Sequence, residues 1–183
     1  MASPIALCDT AGMTNERWLE CRAHGPKEDI EYTVGGSDVA VIFGVSPWTT
    51  PLELWMIKKG RMKPAVKPNS LQLEMGHLLE PIAAHFYEKK SGNRVYDDTF
   101  LYQHADHPYA LADFDRRFER ASDGEPGILE CKCTTYRHAS GWDDGAFPLY
   151  YELQLRYYLS VAEQSLQKAV PCGEGAQNPR RSG

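Results

Sequence analysis

The sequence predicts an α/β domain, a small mixed β-sheet flanked by helices. Three observations carry this. Residues 110–118 and 127–133 alternate faces at strand period and are joined by the turn signal Asp123-Gly124. Residues 70–90 and 149–161 repeat apolar side chains at helical period, the first stopped by Gly92 and the second opened by Pro148. A chain of 183 residues, 42% hydrophobic and 25% charged, is one domain's length and can bury a core.

Taken in order, Thr14 and Asn15 are cap-type residues before a short helix with Trp18 and Leu19 toward the core and Arg22 near its end, which Gly25-Pro26 stops. Gly35-Gly36-Ser37-Asp38 reads as a loop ending in an N-cap serine ahead of the apolar run 39–43. Backbone N–H groups and a hydroxyl at a helix start suit a phosphate, or they simply cap the helix. Pro51 occupies the first position of a third helix, with Gly60 beyond its end, and 64–68 is a linker.

In the long helix 70–90, Met75, Leu78, Leu79, Ile82 and Phe86 form the expected core stripe. Glu80 falls off that stripe beside Gly76, Ala83 and Ala84, just before Pro81, where the backbone must kink or restart. Residues 94–102 read as one strand, followed by the pair 110–118 and 127–133, expected to be antiparallel. In the last helix Tyr151, Gln154 and Tyr158 share one stripe.

Alternation along 127–133 puts Glu130 and Lys132 on one face and Leu129, Cys131 and Cys133 on the other. An aspartate on the preceding strand, Asp113 or Asp115, then adds a second hard oxygen ligand beside a cation. That combination suits a divalent metal ion and phosphodiester hydrolysis. Cys131 and Cys133, facing away, read as small buried hydrophobes.

The formal charge of −5 argues against indiscriminate coating of nucleic acid. Two basic clusters, Lys58-Lys59-Gly60-Arg61-Met62-Lys63 and Arg116-Arg117 with Arg120, are either solvated faces or the walls of a local groove. Five cysteines without framework spacing indicate reduced thiols and an intracellular, cytoplasmic protein rather than a disulfide scaffold or an iron–sulfur site. His104 and His107 lack two further ligands at zinc spacing. No run of 18 apolar residues suggests a membrane span.

A bare Asp…Glu-x-Lys has poor specificity, but six motifs stand here in order: Gly35-Gly-Ser-Asp-Val-Ala, Gly44-Val-Ser-Pro-Trp with Thr50-Pro-Leu-Glu-Leu-Trp55, Gly76-His-Leu-Leu-Glu-Pro81, Asp115, Leu129-Glu-Cys-Lys132 and Gln154-Leu-Arg-Tyr-Tyr158. Together they resemble the YqaJ-type viral recombinase family, similar to lambda exonuclease within the PD-(D/E)xK nucleases. The resemblance implies a restriction-endonuclease-like core and a Mg²⁺-dependent exonuclease, with Mn²⁺ as a substitute. Its substrate would be linear double-stranded DNA ends, digested 5′ to 3′ in phage-type recombination. A single-strand annealing protein is the implied partner and a homotrimer the implied assembly. By motif position Asp115, Glu130, Lys132, Glu80, Gln154 and Tyr158 are catalytic. Asp115, Glu130, the Cys131 backbone carbonyl and Glu80 are the implied metal ligands, and Arg22 and Ser37 bind the DNA 5′-phosphate.

The chain departs from the family pattern at its end, where no apolar, β-branched strand follows Ala162; residues 168–171 are short and cut by proline. The expected domain is therefore 14–162, short of its last strand, with 1–13 and 163–183 disordered. Two alternatives follow: a catalytically silent DNA-end-binding remnant, or a related endonuclease.

Overall fold

A computed structural model of the chain describes residues 3–26, 29–65, 70–133, 147–162 and 169–172. Its elements run β1 (Ile5–Asp9), α1 (Asn15–His24), α2 (Gly36–Ile42), α3 (Pro51–Lys58), α4 (Ser70–Ser91), β2 (Arg94–Asp97), β3 (Phe100–Gln103), β4 (Leu111–Asp113), β5 (Arg116–Glu119), β6 (Pro126–Cys131), α5 (Leu149–Val161) and β7 (Ala169–Cys172). Two small sheets result, ordered β1-β3-β4 and β2-β5-β6-β7. All neighbours are antiparallel except β6 and β7.

The single strands expected over 94–102 and 110–118 are each broken into two, one piece in each sheet. The cause lies in the register between Asp97↔Arg116 and Leu101↔Asp113. Asp98, Thr99 and Phe100 stand on one side and only Phe114 and Asp115 on the other, a bulge-type mismatch that bends the ladder. Asp115 lies in that break, outside any strand.

The ends also differ from expectation. Residues 5–9 form β1, which pairs with β3 and packs Leu7 and Cys8 against buried Cys21, Leu101 and Leu111. Near the other end, β7 runs parallel to β6 from Ile128↔Ala169 to Cys131↔Cys172. It is an edge strand, where the donor that Pro171 lacks can be spared. The remainder of 163–183 lies outside the described residues.

Strand β6 carries the alternation predicted for it. Ile128 packs with Phe114, Tyr158, Val161 and Ala162, toward α5, while Leu129 and Cys131 pack with Phe118 and Ala84 of α4. The close approach of β5 and β6 needs Gly127, where a Cβ would stand 2.1 Å from the Phe118 ring.

Helix α4 meets the sheet through Ala83, Ala84 and Tyr87 rather than through the expected stripe. Leu78 and Phe86 are 63% and 61% exposed, and Met75, Leu79 and Ile82 are likewise open. Small residues permit a closer helix–sheet approach, and choosing that face turns the larger apolar stripe outward. Similarly, α1 buries Cys21, and Leu19 is exposed.

Candidate active site

Glu130 is the buried centre of the site. It projects from β6 toward α5 and is only 2% exposed. Its Oε1 accepts hydrogen bonds from Lys132 Nζ and, at 2.6 Å, from Gln154 Nε2. Gln154 Nε2 also donates to the Tyr158 hydroxyl at 3.0 Å, so the stripe expected on the last helix does converge on the Glu-x-Lys strand. Glu130 Oε2 is buried and, among the described residues, has no hydrogen-bond partner.

Asp115 enters from the bulge. Its Oδ2 accepts the Cys131 N–H at 2.7 Å, which ties the break between sheets to the end of β6. Burial raises the Asp115 pKa, offset in part by Lys132. Glu130 is pushed up to about 8, by burial first and then by the Asp115 charge, with Lys132 pulling the other way. Lys132 is itself raised: the Glu130 and Asp115 charges outweigh its burial.

Glu80 lies off the exposed stripe of α4, as expected, but its Oε1 accepts from Arg116 Nη1 at 2.8 Å. Arg116 also pairs with Asp97 at 2.8 Å and donates to the Asp115 carbonyl. Glu80 thus reaches Asp115 through charge, raising its pKa, and is locked by an arginine that sequence reasoning had placed in a basic cluster. The register pair Asp97↔Arg116 explains why that assignment missed it. The whole cluster is internally paired: Arg117 with Asp98, and Arg120 with Asp123 and Glu125. Of the other cluster, Lys58 pairs with Asp38 at 2.7 Å and Lys59 with Glu31 at 2.6 Å.

Arg22 reaches the same side from α1. Its guanidinium lies over the Trp18 ring at 4.7 Å, stands 4.0 Å from Asp113 and donates to Ser37 Oγ at 3.4 Å. The Thr33 hydroxyl, fully buried, donates to the Arg22 carbonyl and fixes its backbone. Ser37 is inside α2 rather than its cap. The N-cap is Gly35, whose N–H donates to Asp38 Oδ2 at 2.9 Å. Both glycines admit neighbours: a Cβ at Gly35 would stand 2.8 Å from Arg22 Nη2, and one at Gly36 would stand 2.4 Å from Tyr158 Cε1.

Asp113 faces Arg22 rather than sharing the Cys131 contact, leaving Asp115 as the aspartate that accepts from β6. Cys131 is buried against α4, as expected; Cys133 is exposed, with its Sγ 3.9 Å from the Gly76 carbonyl.

Among the described residues no three His, Cys, Asp or Glu side chains form a group able to hold an ion. The side-chain donors on offer are therefore two carboxylates, Asp115 and Glu130. The orphaned Glu130 Oε2, buried beside a second carboxylate, fits a hard cation, since a buried carboxylate oxygen without a donor is otherwise costly.

The mixed sheet, its bulge and the Glu-x-Lys segment beneath a helix amide agree with the restriction-endonuclease-like core that the family resemblance implies. The chain superposes on the crystal structure of an alkaline exonuclease (LHK-Exo) from Laribacter hongkongensis with a TM-score of 0.60, at 20% identity over 80% of this chain and 68% of that one. Residues 17–165 match the model of the YqaJ-like viral recombinase domain, and the chain belongs to that family. It is 34% identical over 163 residues to the protein YqaJ of Bacillus subtilis (strain 168), covering 89% of this chain. The chain spans about half the length of that relative, 47%. No helix among the described residues is long and apolar enough to cross a membrane.

Proposed function

We propose that this chain is a metal-dependent exonuclease that digests linear double-stranded DNA from the 5′ end, inside the cell, in phage-type recombination. The observation that carries the reading is Glu130: a buried carboxylate, held through Oε1 by Lys132 and Gln154, under the charge of Asp115, with Oε2 unpartnered among the described residues.

Mg²⁺, or Mn²⁺ in its place, would be held by Asp115, Glu130 and the Cys131 carbonyl, with Glu80, paired to Arg116, adding negative charge nearby rather than a ligand. A cation bound there would supply an activated water and offset negative charge on the phosphate. Lys132, fixed by Glu130, orients the attacking water and stabilises charge developing on the phosphoryl oxygens. Gln154 restricts Glu130 to one orientation, and Tyr158 braces Gln154. Arg22 and Ser37 receive the 5′-phosphate, the guanidinium supplying a planar fork for phosphate oxygens. That end recognition gives the reaction its polarity.

A homotrimer around the duplex would keep an acidic chain on its substrate, and an annealing protein would take the 3′ strand. The silent-remnant reading rests on a missing strand, and the pairing of β7 with β6 supports the exonuclease over it. The test is nucleotide release from linear duplex bearing 5′-phosphate or 5′-hydroxyl ends, in Mg²⁺ and in EDTA. Release that needs Mg²⁺ and prefers the 5′-phosphate supports the reading. Cutting of covalently closed circles would replace it with an endonuclease.

A further inference from the structure

Lys132 does more than pair with Glu130: its Nζ lies 5.5 Å from the centroid of the Tyr151 ring. Tyr151 meets Tyr150 edge-on at 4.4 Å, and Tyr150 meets Trp48 edge-on at 5.0 Å. A row of three aromatic rings therefore leads from the candidate catalytic lysine to a tryptophan that is 68% exposed. Glu130 at the root of the row is buried, Tyr151 and Tyr150 are half-buried, and Trp48 at its tip is exposed.

Two separate elements build it. Tyr150 and Tyr151 stand in the first turn of α5, while Trp48 sits in the turn ahead of α3. The Trp48 N–H faces Ser46 Oγ at 3.3 Å, and the Thr50–Glu53 capping box fixes the other side of that turn. A large aromatic held out into solvent on a capped turn contributes little to a core.

We propose that Trp48 and Tyr150 form a stacking platform for unpaired nucleobases of the DNA strand whose backbone is led to Lys132. The proposal rests on the nuclease reading and deepens it. An enzyme that digests one strand from its 5′ end draws the terminal nucleotides of that strand away from their complement, so those nucleotides unpair. Unpairing removes base stacking, and ring faces next to the site restore it. Aromatic stacking is indifferent to base identity, as a strand-degrading enzyme requires.

The test is fluorescence anisotropy of the full chain with a 5′-phosphorylated single-stranded oligonucleotide in Ca²⁺, alongside the same oligonucleotide made abasic at its first three positions. For the wild type, the abasic strand is expected to bind at least about fivefold more weakly. In Trp48→Ala and in Tyr150→Ala the intact strand weakens by at least about fivefold and the abasic strand stays unchanged, while Trp48→Phe retains most of the difference. Equal binding of intact and abasic strands by the wild type overturns the proposal, as does no binding of either. Equal weakening of both strands in Trp48→Ala also overturns it, because the ring then acts through the fold or the backbone. Nucleotide release from duplex by the wild type separates the two ideas. Release without an abasic difference leaves the nuclease and removes the platform; an abasic difference without release does the reverse.

Discussion

Gly36 of α2 lies so close to Tyr158 of α5 that a Cβ at position 36 would stand 2.4 Å from the ring and 3.0 Å from Gln154 Cγ. The second glycine of the Gly35-Gly36 pair is thus there for the buried amide and phenol that hold Glu130. Gly36→Ala must displace a fully packed ring and is expected to destabilise the fold by about 1–3 kcal/mol. Gly35→Ala meets only the tip of a flexible arginine and should cost less. Urea unfolding of the two variants measures the difference; equal midpoints would dissociate the glycine from the site.

The Glu130 carboxyl makes a second prediction, about pH and metal. Its pKa in the folded chain, about 8, lies above its ordinary 4.5, so the metal-free fold binds a proton that the unfolded chain gives up. That contribution is complete below pH 4.5 and is lost as pH rises through 8. Glu130→Gln should therefore gain thermal stability over the wild type at pH 8.5 in EDTA and show no such gain at pH 5. Added Mg²⁺ or Mn²⁺ should raise the wild-type Tm at pH 8.5 and leave the variant unmoved. Identical shifts in both proteins would remove Glu130 from the metal.

The strand carrying Glu130 was legible because alternation is a backbone rule; it ends at Cys131, two residues short of the expected 133, yet Lys132 just beyond it still reaches Glu130. The Gln154 and Tyr158 stripe was legible for the same reason at helical period. The bulge was not, because the mismatch of three residues against two is a relation between strands, invisible along either one. The buried face of α4 was misread because hydrophobicity favours Leu78 and Phe86, while close packing on the sheet selects Ala83 and Ala84. Arg116 was missed because its partners, Glu80 and Asp97, lie 36 and 19 residues away in sequence and are brought together only by the fold.

Arg116 supplies a third prediction. It is mostly buried between Glu80 and Asp97, and removing it leaves Glu80 with its charge near Asp115 and no guanidinium. Arg116→Ala should destabilise by about 1–3 kcal/mol, and the Glu80→Gln, Arg116→Ala pair should be non-additive by at least about 0.5 kcal/mol. A double-mutant cycle from chemical denaturation reads the coupling; additive losses would mean the contact is energetically idle.

Lys132→Ala tests the chemistry itself. The ammonium is held at Glu130 and sits among carboxylates that keep it charged. Its loss should lower the single-turnover rate of nucleotide release about 10²- to 10³-fold. Oligonucleotide binding in Ca²⁺ should be retained within a few-fold, because the phosphate contacts assigned to Arg22 and Ser37 remain. A variant that cleaves at the wild-type rate would take Lys132 out of the reaction.

The last prediction concerns β7. Strand β6 carries Glu130 one residue before its end and has β5 on one side and β7 on the other. Ending the chain at Ala162 would leave the β6 edge unpaired and expose backbone groups beside the site. Each lost ladder hydrogen bond is worth about 0.5–1.5 kcal/mol net, so the shortened chain should be less stable by on the order of 2 kcal/mol. It should also associate more readily at a given concentration, through the open edge. Denaturation and sedimentation of the two chains check both expectations. Equal stability and equal sedimentation would show that the edge is covered without β7, and that the sequence was read correctly in ending the working domain at residue 162.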